Sequence, residues 1–187
     1  MDTDTIYIKV SGKSAYLKFR ECGPTCIANG CTAKCCDAPT TPLGIKVSIL
    51  DDDNIHMILD DNNVTVIDGY MQPRSGERLC PFKSDEHLCL LHDTIYKPFG
   101  CIVSPFFLNR NSTLVVRNRY KLLPCYDKTG GERAYRVFSS SLKAIFTEDV
   151  YKHVVDRLDL SNTSFMAPIR RVIYDRLRER EGILKSG

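Results

Sequence analysis

The chain has 187 residues, room for one domain or one domain with an appendage. Its 43% hydrophobic and 26% charged content is ordinary for a globular protein, and the absence of any run of about 18 apolar residues argues against a transmembrane helix. The net charge of +3 hides an asymmetry, since residues 1–116 carry 11 Lys and Arg against 14 Asp and Glu, whereas residues 117–187 carry 15 against 9. The opening "MDTDTIYIKV" lacks the basic stretch and apolar segment of a secretory leader, so the expectation is a cytoplasmic chain.

In chain order, "TIYIKV" and "SAYLKFR" alternate apolar and polar residues around "SGK", which predicts a hairpin of two short strands. "CGPTCIANGCTAKCC" follows, without usable periodicity, and needs a cross-link to hold a shape. "GIKVSIL" predicts a strand, "DDDNIHMILDD" one or two helical turns, and "NVTVIDG" another strand. Residues 71–111 read as an irregular stretch that something must organise. "STLVVRNRY" predicts a strand with a basic end. "RAYRVFSSSLKAIF" sets Tyr135, Phe138, Leu142, Ile145 and Phe146 at helical spacing. "TEDVYKHVVDRL" opens a helix with Thr147 before Glu148 and Asp149. "SNTSFMAPIRRVIYDRLRER" predicts a last helix with Pro168 in its first turn.

The nine cysteines carry the chemistry. A reducing compartment keeps thiols from pairing, and an odd count cannot be fully paired, so a cluster there points to metal. The order is Cys22, Cys26, Cys31, Cys35 and Cys36, then Cys80, Cys89 and Cys101, then Cys125. The gaps in the first block fall in the range of zinc-ligand spacings. In extended backbone, Cys35 and Cys36 point to opposite sides, so each can serve a different centre. Nine thiolates fill two four-thiolate centres with one left over. Neither the C-x2-C-x2-C run of bacterial ferredoxins nor the C-x2-C of zinc ribbons is present, so spacing leaves zinc and an iron–sulfur cluster both open. His87 and His92 flank Cys89 as further nitrogen ligands in reach, weighed against plain surface histidines; His56 and His153 read as structural. Cys125 alone reads equally well as an inert buried thiol.

Two basic runs suggest a nucleic-acid or protein partner. "RNRYK" offers Arg117, Arg119 and Lys121 around Tyr120, and "RRVIYDRLRER" offers Arg170, Arg171, Arg176, Arg178 and Arg180. The competing reading is a solvated helix face whose arginines pair locally with Asp175, Glu179 and Glu181. No phosphate-cradling glycine loop, nucleotide fingerprint or Ser-His-Asp arrangement is present, so an enzyme would need the metal itself as its reactive part.

At "CPFKSDEHLCLLHDTIYKPFGCIVSPF" the sequence resembles the YkgJ-type cysteine-cluster family, described as a zinc- or iron-chelating domain. Cys35 and Cys36 stand at the family's cysteine pair, Cys26 and Cys31 at its two leading cysteines, and Cys80, Cys89 and Cys101 in its second block, with Lys97 where Arg is usual and Lys97-Pro98 before Cys101. Cys22 and Cys125 lie outside the family core. The resemblance covers roughly residues 17–110 and implies a multi-cysteine metal domain.

The resulting expectation is an α+β protein: a small, irregular, metal-centred, cysteine-rich part with short strands over residues 1–127, and a helical extension over 128–187. Its expected function is to hold zinc or an iron–sulfur cluster (such as 4Fe-4S) through the nine cysteines as a structural or interaction module. The alternative is an iron–sulfur-dependent redox enzyme or an accessory to macromolecule modification, associated with nucleic acid. The basic C-terminal helices would meet the partner, with no role for a membrane.

Overall fold

The computed structural model describes residues 4–21, 45–46, 65–67, 70–72, 82–86, 88–91, 94, 97 and 99–179. The architecture is α+β, with helices concentrated in the C-terminal third. The chain divides into two compact units. One comprises Met1–Cys26 together with Ile102–Gly187, and the other is Ile27–Cys101. The second unit is therefore an insertion into the first, a topology that places the division elsewhere than at residue 127. The reason is long-range pairing. Strand β1 (Thr5–Val10) runs antiparallel to β9 (Phe165–Arg170) and parallel to β7 (Thr113–Val116), so both ends of the chain share one sheet.

That sheet has the order β6-β7-β1-β9, with β6 spanning Phe106–Leu108. In β1, Ile8 and Val10 are buried while Thr5, Tyr7 and Lys9 face out; in β9, Phe165, Ala167 and Ile169 are buried while Met166 and Arg170 face out. This is the two-residue period of a sheet with one covered face. The β6–β7 turn is built by Asn109, whose side-chain oxygen accepts from the N–H groups of Asn111 at 2.9 Å and Thr113 at 3.0 Å. Ser112 takes the left-handed conformation (φ 52°) that closes it.

The covered face meets helices α5 (Glu148–Leu160) and α6 (Arg171–Glu179), which pack on β9, with α6 also reaching β1 and β6. Val154 and Leu158 of α5, and Ile173 and Leu177 of α6, are buried at four-residue spacing. Thr147 caps α5 in extended conformation ahead of Glu148 and Asp149, as the sequence suggests, although its hydroxyl makes no capping bond.

Several sequence expectations are corrected. The N-terminal hairpin does not form. Gly12–Ala15 is a one-turn helix, α1, capped by Ser11, and β2 (Lys18–Phe19) pairs with β8 (Glu132–Arg133) rather than with β1. The predicted helix over 133–146 breaks at Phe138 into α3 (Ala134–Val137) and α4 (Ser139–Ile145). The three serines that follow are weak helix formers, and Ser141 donates to the carbonyl of Ser104 at 2.6 Å. Phe138 turns instead onto Phe19, ring centroids 5.2 Å apart. The first part of the predicted last helix is strand β9, with Pro168 opposite Tyr7. An edge strand tolerates a missing N–H.

In the inserted unit, β3 (Ile45–Lys46), β5 (Tyr70–Gln72) and β4 (Thr65–Ile67) form a sheet in the order β3-β5-β4. This agrees with the strands predicted in "GIKVSIL" and "NVTVIDG". The turns predicted in "DDDNIHMILDD" lie outside the described residues. Within the stretch expected to be irregular, α2 (Phe99–Ile102) forms one helical turn. No helix among the described residues is long and apolar enough to cross a membrane.

Candidate functional site

Of the nine expected ligands, Cys89, Cys101 and Cys125 are among the described residues, while Cys22, Cys26, Cys31, Cys35, Cys36 and Cys80 lie outside them, as do His56, His87, His92 and Pro98. Cys89 is a half-buried free thiol on a small hairpin. Ser84 N–H donates to the Leu88 carbonyl and Leu90 N–H to the Phe82 carbonyl, both at 2.9 Å, and Lys83 bridges to Cys89. Leu88 and Leu90 are exposed beside it, while Leu91 is buried. A thiol held at a partly covered position by backbone bonds is the donor type that zinc or an iron–sulfur cluster takes. Cys101 is half-buried in α2, next to buried Phe99 and Gly100. Lys97 N–H reaches the Thr94 carbonyl at 3.4 Å, a local turn ahead of Cys101. Cys125 belongs to the other unit, buried beside β2, where its carbonyl accepts from Arg20 N–H at 2.8 Å. Among the described residues, no three Cys, His, Asp or Glu side chains gather as a metal site requires. His153 is exposed on α5.

The basic runs are placed differently from a single helical face. Tyr120 is buried and packs edge-on against Phe138 at 6.3 Å, so it offers no ring to a base. Arg117 lies over the Phe107 ring, 5.1 Å from its centre. Arg178 spends its guanidinium on the β6–β7 turn, donating to the carbonyls of Asn109 at 3.3 Å and Arg110 at 3.5 Å. Arg170 and Arg171 are exposed, and Arg180 lies outside the described residues. Beside the turn lies a cleft of about 480 Å³, whose lining includes Lys13, Lys121, Phe107, Val115, Asn109 and Asn118. Lys13 lies outside both basic runs, and only the sheet register brings it near Lys121.

Two polar clusters perturb their ionisable groups. Tyr135 is buried and donates its hydroxyl to Asp159 at 2.6 Å, and Arg136 pairs with the same carboxylate. Arg133 donates to the Tyr135 oxygen at 3.2 Å and stacks over Tyr16 at 4.1 Å. Tyr16 in turn donates to the Leu158 carbonyl. The Tyr135 hydroxyl, aided by Arg136, holds the Asp159 carboxyl below its usual range, while burial, reinforced by Asp159, pushes the Tyr135 phenol up. The cluster ties α3 and α1 to the end of α5, and its polar atoms are used on one another, so it is a brace. Tyr135→Phe is expected to lower stability by about 1–2 kcal/mol, because Asp159 and Arg133 lose a partner at a partly buried site. Urea denaturation monitored by far-UV circular dichroism measures this, and an unchanged midpoint would refute the brace.

Asp127 anchors the "DKTGG" turn. Its carboxylate accepts from the N–H groups of Gly130 and Thr129, each at 3.0 Å, from the Thr129 hydroxyl at 2.9 Å and from Arg20 at 3.1 Å. These donors, the Gly130 and Thr129 backbone first, hold its pKa far below the usual carboxylate range. A depressed folded pKa gives stability that is present above the unfolded value of about 4 and is lost as pH falls through the folded one. Asp127→Asn is therefore expected to melt below the parent at pH 7, with the gap closing as pH drops below about 4. A constant gap across thermal melts from neutral to acid pH would rule out the carboxylate as its source.

No protein-family model, no curated protein and no solved structure matches the chain.

Proposed function

We propose that the chain is a metal-binding protein that holds zinc or an iron–sulfur cluster through a multi-cysteine site drawn mainly from the inserted unit, and that it acts as a structural or interaction module. The observation that carries this reading is the distribution of thiols over the two units. Six of the nine cysteines (Cys31, Cys35, Cys36, Cys80, Cys89 and Cys101) fall within Ile27–Cys101. A chain segment of that size can bury only a limited core, and folds below about 80 residues commonly rely on disulfides or a metal. By contrast, the unit built from Met1–Cys26 and Ile102–Gly187 has a continuous apolar core in Ile8, Leu108, Leu142, Val154, Leu158 and Leu177. The half-buried, hairpin-held Cys89 and the cysteine-cluster resemblance of the same segment support the same reading.

A bound zinc would supply cross-linking and folding energy, and an iron–sulfur cluster electron transfer as well. Elemental analysis of anaerobically purified full-length protein tests the proposal. A colourless protein with stoichiometric zinc assigns the structural module. A brown protein with matching iron and acid-labile sulfide assigns the redox form. Protein that folds with neither, and keeps its thiols joined in disulfides, would overturn the proposal.

A further inference from the structure

We propose that the open face of the β6-β7-β1-β9 sheet, with the cleft beside it, binds single-stranded nucleic acid. The opposite face is sealed by α5 and α6, but this one carries Tyr7 at 64% exposure and Met166 at 56%, with exposed Lys9 and Arg170 beside them. Register places them together: Lys9 lies opposite Met166, Tyr7 opposite Pro168, Thr5 opposite Arg170, and Phe107 opposite Val115 across β6 and β7. Strand spacing and rise put Phe107 and Tyr7 roughly 16 Å apart, a path longer than one nucleotide.

Charge selects the occupant. Lys9 and Arg170 on the face, and Lys13 and Lys121 in the adjoining cleft, are all cationic, and among the described residues no carboxylate belongs to that face or to the cleft lining. The exposed Tyr7 ring and Met166, set among lysines and Arg170, match a polyanion with unpaired bases. A duplex keeps its bases stacked and offers the Tyr7 ring nothing to cover it. The basic runs mark only Lys121 and Arg170 of this surface, since Tyr7, Lys9 and Lys13 lie outside both and join Lys121 only through the parallel pairing of β1 with β7. The surface belongs to the host unit and not to the cysteine-rich insertion, so the inference stands apart from the metal.

The test is fluorescence anisotropy of full-length protein with a labelled oligothymidine and an oligouridine, repeated over a salt series. Lys9→Gln, Lys13→Gln and Lys121→Gln combined are expected to weaken binding tenfold or more and to flatten the salt slope by about 2, as three lost phosphate contacts on a single strand require. Tyr7→Ala is expected to weaken binding about tenfold with the slope unchanged. A control with the same charge change elsewhere, Lys128→Gln, Lys143→Gln and Lys152→Gln, is expected to bind within a factor of two or so of the parent on local-contact grounds. The inference is overturned if the control loses as much as the face variant, if a duplex binds as tightly as the single strand, if polyglutamate competes equally well, or if the parent does not bind. Metal content measured on the same samples separates the two proposals: full metal without binding removes this one and leaves the other standing.

Discussion

Cys35→Ser and Cys36→Ser together are expected to remove at least half of the bound metal and to leave the Ile27–Cys101 unit open to protease while the other unit stays folded. A serine hydroxyl remains protonated and hard at neutral pH, so it does not replace a thiolate at zinc or iron. If the adjacent pair serves two centres, losing both residues damages both. Structural zinc contributes about 10–16 kcal/mol of apparent binding free energy at pH 7, more than the stability of a typical small domain. The unit boundaries say which region should yield. Elemental analysis with limited proteolysis and mass mapping reads the result. Single replacements of Cys89 and Cys101, both half-buried in the same unit, are expected to act in the same direction. Unchanged metal in the double variant would defeat the ligand assignment. Unfolding of both units together would defeat the claim that the metal stabilises only the insertion.

The second large effect concerns Gly12. A Cβ built there would lie 1.9 Å from the carbonyl oxygen of Asn162, 2.3 Å from its carbon and 2.8 Å from the carbonyl oxygen of Thr163. All three are backbone atoms, so no side chain can swing aside. Either α1 or the segment joining α5 to β9 must move. That segment delivers Phe165 to its place opposite Val10, and Ser14 of α1 accepts the Val116 N–H at 2.7 Å, so either movement disturbs the central sheet. Gly12→Ala is expected to cost about 3 kcal/mol or more, at the upper end of overpacking effects. Gly130 supplies the control, because a Cβ there would meet the Asp127 side chain at an ordinary 3.4 Å. Gly130→Ala is expected to change stability by less than about 1 kcal/mol. Guanidinium denaturation of both variants decides. Equal midpoints would show that the contact at Gly12 relaxes without consequence.

The pattern of residues decided some of this protein directly. Alternation in "TIYIKV" and "STLVV" marks β1 and β7, and Thr147 with its two acids and the Val154–Leu158 spacing marks α5, because each signal and the structure it reports lie within a few turns of backbone. The thiol-rich segment raises its expectation of a bound metal in the same local way, through cysteine spacing, while Cys22, Cys26, Cys31, Cys35 and Cys36 lie outside the described residues. "FMAPIR" held the strand signal too: Phe165, Ala167 and Ile169 are buried in alternation. A helical pattern that truly begins at Arg171 obscured it.

Only the tertiary structure decided which strands pair. β1 finds its partners more than a hundred residues away, so "SGK" became a one-turn helix instead of a hairpin turn, and Ile27–Cys101 became an insertion. The same pairing brings Tyr7, Lys9, Lys13 and Lys121 to one side of the sheet, while Tyr120 is buried against Phe138 and Arg178 is held on the β6–β7 turn. Local periodicity states which face of a strand is apolar. It does not say which distant strand will cover it, because that choice depends on the burial achieved by the whole sheet and its helices together.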